Sequence, residues 1–319
     1  MNKKILCIGE ALIDMICTDK GTVLSEGLHF EKKPGGAPCN VAAAIAALGG
    51  AVEIAAKVGN DPFGDQLINV MKEFGVSTKW MLKDEECFTT MAFVSLMENG
   101  ERDFVFNRGA DGHLTINDLA TIDLEEFSII HFGSATAFLP GPLQETYSYF
   151  LQEALNKNIF ISFDPNYRYL LFKNNTKSFI EQSWSFLMQC DFFKMSDEEA
   201  LLITGCNGLN ESVKILSQKT KAVFAITLGE KGALLRLNDS IEIISSVKAN
   251  VIDTTGAGDA FVGAVLFQLN KISAEEIKKF SISDWKAIIS NANKVAAQTC
   301  EHLGAMEAFL YINNKILSA

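Results

Sequence analysis

The stretch of this chain best equipped for chemistry is Asp253-Thr254-Thr255-Gly256-Ala257-Gly258-Asp259-Ala260-Phe261-Val262-Gly263-Ala264. Its first half is small and glycine-rich, and its second half suits the start of a buried helix. A turn feeding a helix leaves several backbone N–H groups without intrahelical partners, all aimed one way, and the helix dipole adds a positive end. Together they make a site for an anion. Gly256 and Gly258, lacking a Cβ, let a phosphate come close to the backbone. Asp259 is out of place there, because a carboxylate repels a resting phosphate. It has a use if it takes a proton from a hydroxyl about to attack a phosphoryl group. The plain alternative is a capping Asp beside a tight glycine turn.

Other chemistry-bearing residues lie earlier. Pro34-Gly35-Gly36-Ala37-Pro38-Cys39-Asn40 precedes the alanine-rich Val41–Leu48, which predicts a tightly packed helix closed by Gly49-Gly50. On the plainest reading Asn40 caps that helix. Asp14 is an isolated acid among the apolar residues of Glu10–Ile16, either a hydrogen-bond anchor or a ligand contact. Arg108 follows two alternating runs, Thr89–Met97 and Arg102–Asn107, which read as a half-exposed hairpin around Glu98-Asn99-Gly100-Glu101. Taken alone, Arg108 is a solvated charge.

These residues need a frame. Ile5-Leu6-Cys7-Ile8-Gly9 has the continuous apolar character of a buried parallel strand. From Ile129 the pattern alternates between Ile129–Gly133, a helix over Gln144–Asn156 and Ile159–Phe163, and Ala222–Thr227 again reads as a strand. That alternation predicts a doubly wound parallel sheet. Asp164-Pro165-Asn166-Tyr167-Arg168 directly follows a strand, at the edge where open α/β sheets bind ligands.

Two of these stretches, in this order, resemble the signatures of the ribokinase-like (PfkB) carbohydrate kinases. They are Gly35-Gly36 with Asn40 before a small-residue helix, and Asp253 through Phe261. The likeness runs from Ile8-Gly9 to Gly304-Ala305. It implies an α/β ribokinase-like fold over 1–319 as a single domain, its doubly wound, mostly parallel sheet flanked by helices. A small β-sheet lid would come from segments about 13–33 and 89–108.

The resemblance also implies roles. Asp259 is the catalytic base, and the backbone N–H groups of Gly256, Ala257 and Gly258 form the anion hole. Asp14, Gly36 and Asn40 hold sugar hydroxyls, with Gly35 as backbone support. Thr227, Gly229 and Gly232 are similar to the nucleotide loop, Gly256 and Gly258 lie at the phosphates, and Asn293 matches the purine-side Asn. Asp253 and Thr255 would place a monovalent cation such as K+. Many members carry Asn-x-x-Glu in the magnesium and phosphate network, whereas this chain has Ser196-Asp197-Glu198-Glu199. Glu199 is therefore expected to reach magnesium indirectly. A helix start rich in acids explains the same residues.

The 164–168 and 196–199 stretches and Arg108 are similar to bacterial fructokinases, with Asp-Pro-Asn-x-Arg shared by ketodeoxygluconate kinases. Arg108 and Arg168 become expected substrate contacts. The expected reaction is ATP + D-fructose to ADP + D-fructose 6-phosphate, with magnesium. Ketodeoxygluconate kinase and ribokinase are the alternatives within the family, and a sugar-binding regulator without turnover is the alternative outside catalysis. A small sheet with one apolar face needs covering, so a homodimer through the lid is expected.

Composition agrees. The 319 residues are 48% hydrophobic, enough for a large core. A net charge of −11 leaves no basic surplus for nucleic acid. Seven scattered cysteines with no Cys-x-x-Cys signal neither a disulfide framework nor zinc, and the four histidines show no clustered spacing. No Gly-x-x-x-x-Gly-Lys-Ser/Thr is present, and Phe261 stands where a dinucleotide fingerprint needs its third glycine. Met1-Asn2-Lys3-Lys4 leads straight into an apolar strand and no run is long enough to span a bilayer, so the expectation is a soluble, cytoplasmic protein.

Overall fold

A computed structural model describes residues 3–96 and 102–318; Met97 and the expected turn Glu98–Glu101 lie outside the described residues. The described strands are β1 (Lys4–Ile8), β2 (Leu12–Cys17), β3 (Phe30–Gly35), β4 (Val52–Gly59), β5 (Ser77–Asp84), β6 (Thr90–Leu96), β7 (Arg102–Asn107), β8 (Phe127–Phe132), β9 (Phe160–Phe163), β10 (Phe192–Ser196), β11 (Val223–Thr227), β12 (Ala233–Leu237) and β13 (Ser240–Ile244). Nine form one sheet in the order β13-β12-β11-β10-β9-β8-β1-β4-β5. Pairing is parallel from β5 to β11, and β12 and β13 add antiparallel strands at one edge.

Both faces of the large sheet are covered, which is why its strands read as unbroken apolar runs. In β1, Ile5 and Cys7 join one core, while Leu6 and Ile8 join the other. Helices Ala37–Ala47, Pro62–Glu73, Ala257–Leu269 and Ile282–Thr299 supply the first core. Pro142–Asn156, Thr176–Leu187, Asp197–Thr204 and Leu209–Lys219 supply the second.

The helix expected over 41–48 starts four residues earlier, at Ala37. Gly36 precedes it at φ +104, and a Cβ there would run into the Glu10 carbonyl oxygen, so only glycine fits. Asn40 is consequently inside the helix, its N–H donating to Gly36 O at 2.9 Å. The capping reading of Asn40 is wrong, and its side chain is available for other work.

The second sheet has the order β3-β2-β6-β7. The hairpin register pairs Ala92 with Phe106 and Val94 with Phe104, and β2 lies parallel to β6 with Asp14 beside Ala92. Asp14, Ile16, Val94, Phe104 and Phe106 thereby share one face, on which the two Phe rings stack with centroids 6.2 Å apart. Met15 and Met91, on the other face, pack against the first core. Among the described residues, no helix is long and apolar enough to cross a membrane.

Helix Ala257–Leu269 lies against helix Ala37–Ala47 at unusually short range. A Cβ on Gly263 would sit 2.7 Å from Ala44 Cβ and 3.3 Å from Val41 O. Neither neighbour can swing away. Gly263→Ala should therefore destabilise the protein by about 1–3 kcal/mol from overpacking, despite a helix-propensity gain of about 1 kcal/mol. Urea unfolding measures this, and a raised midpoint would show that the two helices can move apart.

Candidate active site

The expected site residues gather at the carboxyl edge of the large sheet, where strand ends give way to loops. Two helix N-termini meet there. Asp259 is in the first turn of Ala257–Leu269, and Asn40 is in the first turns of Ala37–Ala47. Asn40 Nδ2 donates to Asp259 Oδ2 at 2.8 Å, across 219 residues of sequence. The other end of the same amide, Asn40 Oδ1, is buried and has no partner among the described residues. A buried carbonyl oxygen without a donor is costly, so this one points to a ligand hydroxyl.

Asp259 is buried, and desolvation pushes its pKa up to about 6. The Asn40 hydrogen bond and the charges of Lys194 and Arg168 pull it back, while Asp164 raises it further. Asp14 behaves alike: burial lifts it to about 6, and the Arg168 charge opposes that. One exposed guanidinium thus acts on both carboxylates. Arg168 is aimed by its loop. Asn166 takes the left-handed conformation at φ +50, a region Asn tolerates, and its Nδ2 donates to Gly133 O at 2.9 Å. Gly35 makes room for Asp14, since a Cβ on Gly35 would collide with Asp14 Oδ2.

Gly256 begins the helix at φ +78, packed so tightly on Ala305 that a Cβ would clash. A Cβ on Gly258 would lie 2.8 Å from the Nζ of Lys194, so the lysine already reaches into the glycine cradle. Lys194, in β10, is paired with Asp164 at 3.0 Å. Burial alone would discharge it, yet Asp164, Glu199 and Asp259 hold its pKa above the ordinary lysine value. The cradle therefore combines backbone N–H groups, a helix dipole and a fixed cation. That combination binds an anion and stabilises charge developing on it.

Sequence reasoning missed Lys194. Its only signal was a charged residue inside a strand buried on both faces. Glu10 was missed too. It follows β1, is buried, and accepts hydrogen bonds from Ala37 N at 3.0 Å, Ala135 N at 3.3 Å and the Ser134 hydroxyl. Burial lifts its pKa to about 7 against those bonds. Glu10 ties the start of helix Ala37–Ala47 to the loop after β8.

The remaining expected residues divide. Glu199 forms a capping box with Ser196, and its two oxygens accept from Ser196 N and Tyr167 N, each at 2.7 Å. Glu199 thereby holds the Arg168 loop and has no oxygen clear of the backbone. Thr227 stands beside Ser196 in the sheet, and Gly229 opens an unobstructed turn after it. Gly232, at φ +96, and Asn293 both hold the backbone after β13. A Cβ on Gly232 would strike Ile244 O, and Asn293 Nδ2 donates to Ile244 O at 2.9 Å. Asn293 is buried. Asp253 accepts from Thr255 Oγ1 at 2.7 Å and from Gly304 N at 2.9 Å, closing the loop ahead of the cradle. Arg108 is not a free surface charge either. It donates to Pro140 O at 2.8 Å and Thr136 O at 3.2 Å, beside Asp111 at 3.6 Å, so it pins the end of β7 to the loop after β8.

Fructokinase-1 of Zea mays is 33% identical over 310 residues, covering 95% of this chain and 93% of that one. The fructokinase of Xylella fastidiosa, solved with bound ATP, has a TM-score of 0.87 at 28% identity and covers 100% of this chain and 98% of that one. A double mutant of the Vibrio cholerae fructokinase, solved with fructose, ADP and potassium ion, has a TM-score of 0.82 at 26% identity, covering 99% and 97%. Residues 2–310 match the pfkB family carbohydrate kinase profile. The chain has the ribokinase-like α/β fold and belongs to the pfkB family of carbohydrate kinases.

Proposed function

We propose that this protein is an ATP-dependent fructokinase that transfers the γ-phosphoryl group of ATP to the 6-hydroxyl of D-fructose, giving ADP and D-fructose 6-phosphate. The observation that carries the reading is the Asn40–Asp259 pair, with Asn40 Oδ1 left open beside a buried carboxylate. A hydroxyl donating to that oxygen rests within reach of Asp259, opposite a cradle built for phosphate. The fructokinase relatives and the fructose-bound structure support the choice of sugar.

In this mechanism Asp259 accepts the hydroxyl proton as the oxygen attacks phosphorus. The N–H groups of Gly256, Ala257 and Gly258, with Lys194, hold the charge that develops on the transferring group. Asp14, Gly35, Gly36 and Asn40 hold the sugar hydroxyls, Arg168 closes over them, and Arg108 keeps the small sheet seated as their lid. Thr227, Gly229, Gly232 and Asn293 shape the nucleotide side. Magnesium, when bound, neutralises the nucleotide phosphates. Glu199, whose oxygens already accept backbone N–H groups, would meet it only through water. Asp253 and Thr255 offer oxygen atoms of the kind a potassium ion takes. The chain works as one α/β domain in the cytoplasm, and two lids pair across the apolar face of Ile16, Val94, Phe104 and Phe106.

A coupled ADP-formation assay should show saturable turnover with fructose, and much weaker turnover with ribose and ketodeoxygluconate. Saturation by ketodeoxygluconate with fructose inert at millimolar levels would overturn the sugar and leave the kinase family standing.

Asp259→Asn keeps shape and hydrogen-bond reach but removes the base, so kcat should fall roughly 10²–10⁴-fold with sugar binding retained. Asp259 must be ionised to act. With its pKa at about 6, turnover falls as pH drops through that value. Lys194→Met removes a cation that favours the charged form, so the surviving activity should show its acid limb shifted to higher pH. An unshifted limb would mean that Asp259 is not the titrating group.

Arg168→Lys should lower kcat with fructose more than it raises KM, because a neutral sugar leaves the guanidinium to act on the transferring phosphate. An effect mainly on KM would point to a carboxylate-bearing substrate. For the lid, sedimentation should give a dimer at micromolar concentration and a monomer for Phe104→Glu. A wild-type monomer would refute the paired lid.

A further inference from the structure

Three ligand-type side chains meet at the β5 end of the large sheet's carboxyl edge, where the chain enters and leaves the β6–β7 hairpin. Asp84 ends β5, Cys87 lies in the link from β5 to β6, and His113 ends the short helical turn Ala110–His113 after β7. One carboxylate oxygen, the thiol sulfur and one ring nitrogen all lie within 4.8 Å of one another. Bonds of about 2.0–2.3 Å to a tetrahedral ion need ligand atoms roughly 3.3–3.7 Å apart, so closure takes on the order of 1 Å of side-chain rotation.

The cluster is partly assembled already. Asp84 Oδ1 accepts the N–H groups of Glu86 and Cys87, both at 2.9 Å, which sets the loop that carries the thiol. Lys57 lies 3.4 Å from Asp84 Oδ2 but has a shorter ion pair with Asp118, 3.0 Å, so a dication can take its place at Asp84. The His113 ring makes no hydrogen bond among the described residues, although its carbonyl oxygen accepts from Lys57. Asp84 and Cys87 are half-buried and His113 is exposed, which leaves an entry path. An ordinary surface ion-pair cluster explains Asp84 and Lys57. The Cys87 thiol hydrogen-bonds to the Asp84 carboxylate as well, and neither contact gives a reason for an unpartnered imidazole to converge on the same pair.

We propose that Asp84, Cys87 and His113 bind one borderline divalent metal ion, Zn2+ in type, with water as the fourth ligand. A sulfur, nitrogen and oxygen donor set suits that class and not magnesium or calcium. The bound ion joins both ends of the β6–β7 hairpin to the end of β5. Its detection requires no kinase activity.

Titration of Co2+ into reduced, chelator-stripped protein tests this directly. The expected result is one Co2+ per chain, with tetrahedral d–d bands and a thiolate charge-transfer absorption, displaced by added Zn2+. Cys87→Ser should abolish the charge-transfer band. His113→Gln should weaken binding by at least the roughly 10–100-fold seen when an outer-shell partner is lost. Unchanged metal-free melting of both variants would show that the fold is intact. A thiolate band that persists in Cys87→Ser, equal affinity in His113→Gln, or no uptake by the wild type would each overturn the proposal.

Discussion

One hydrogen bond, from Asn40 to Asp259, is the constraint on which the site depends. It joins the first turns of two helices that are distant in sequence and adjacent in space. Two charged or polar groups can meet there only if their helices lie closer than ordinary side chains allow. The alanines of Ala37–Ala47 and the missing Cβ of Gly263 permit that approach. The small-residue composition of both segments is therefore part of the site's geometry, because side-chain bulk at the crossing would separate carboxylate and amide. Both helices also aim their positive dipole ends at the same point.

Charge at this edge is balanced at close quarters. Lys194 would lose its proton in an apolar interior, and Asp259 would gain one. Held together, they keep Lys194 charged and limit the rise of Asp259 to about 6. Such a carboxylate is ionised near neutrality yet basic enough to take a proton, which is the compromise general-base catalysis needs. The same closeness makes the group fragile, since removing one buried partner leaves the others uncompensated.

The small sheet is held at its base and open along one face. Thr89 bonds to Asp61, and Thr90 bonds to Asp111, which also accepts from Thr136 at 2.7 Å. Arg108 adds two carbonyl contacts from the other end of the hairpin. The sheet carries Asp14, so whatever steadies its base also steadies that buried carboxylate, on which the Arg168 charge acts. On the sheet's apolar face Ile16 is 40% exposed, and Val94, Phe104 and Phe106 are half-buried.

Much of this could be read from residue order alone. Backbone periodicity is local, so the parallel sheet was legible in the apolar runs at Ile5–Ile8 and Ile129–Phe132, and the hairpin in its alternation. The glycine cradle and Asp259 were legible because a turn, a helix start and an acid are consecutive residues whose chemistry needs no distant partner. The start of helix Ala37–Ala47 was not, because Pro38 and a glycine pair look like a loop until Gly36 is seen wedged against Glu10. Lys194 and Glu10 were also illegible. A charged residue in a buried strand gains meaning only from partners such as Asp164 or Ser134, which lie far away in the chain. The meeting of Asp84, Cys87 and His113 belongs to the same class. Sequence determines which groups can be acids, bases and donors, whereas long-range packing decides which of them are desolvated together, and desolvation is what turns a polar residue into a site.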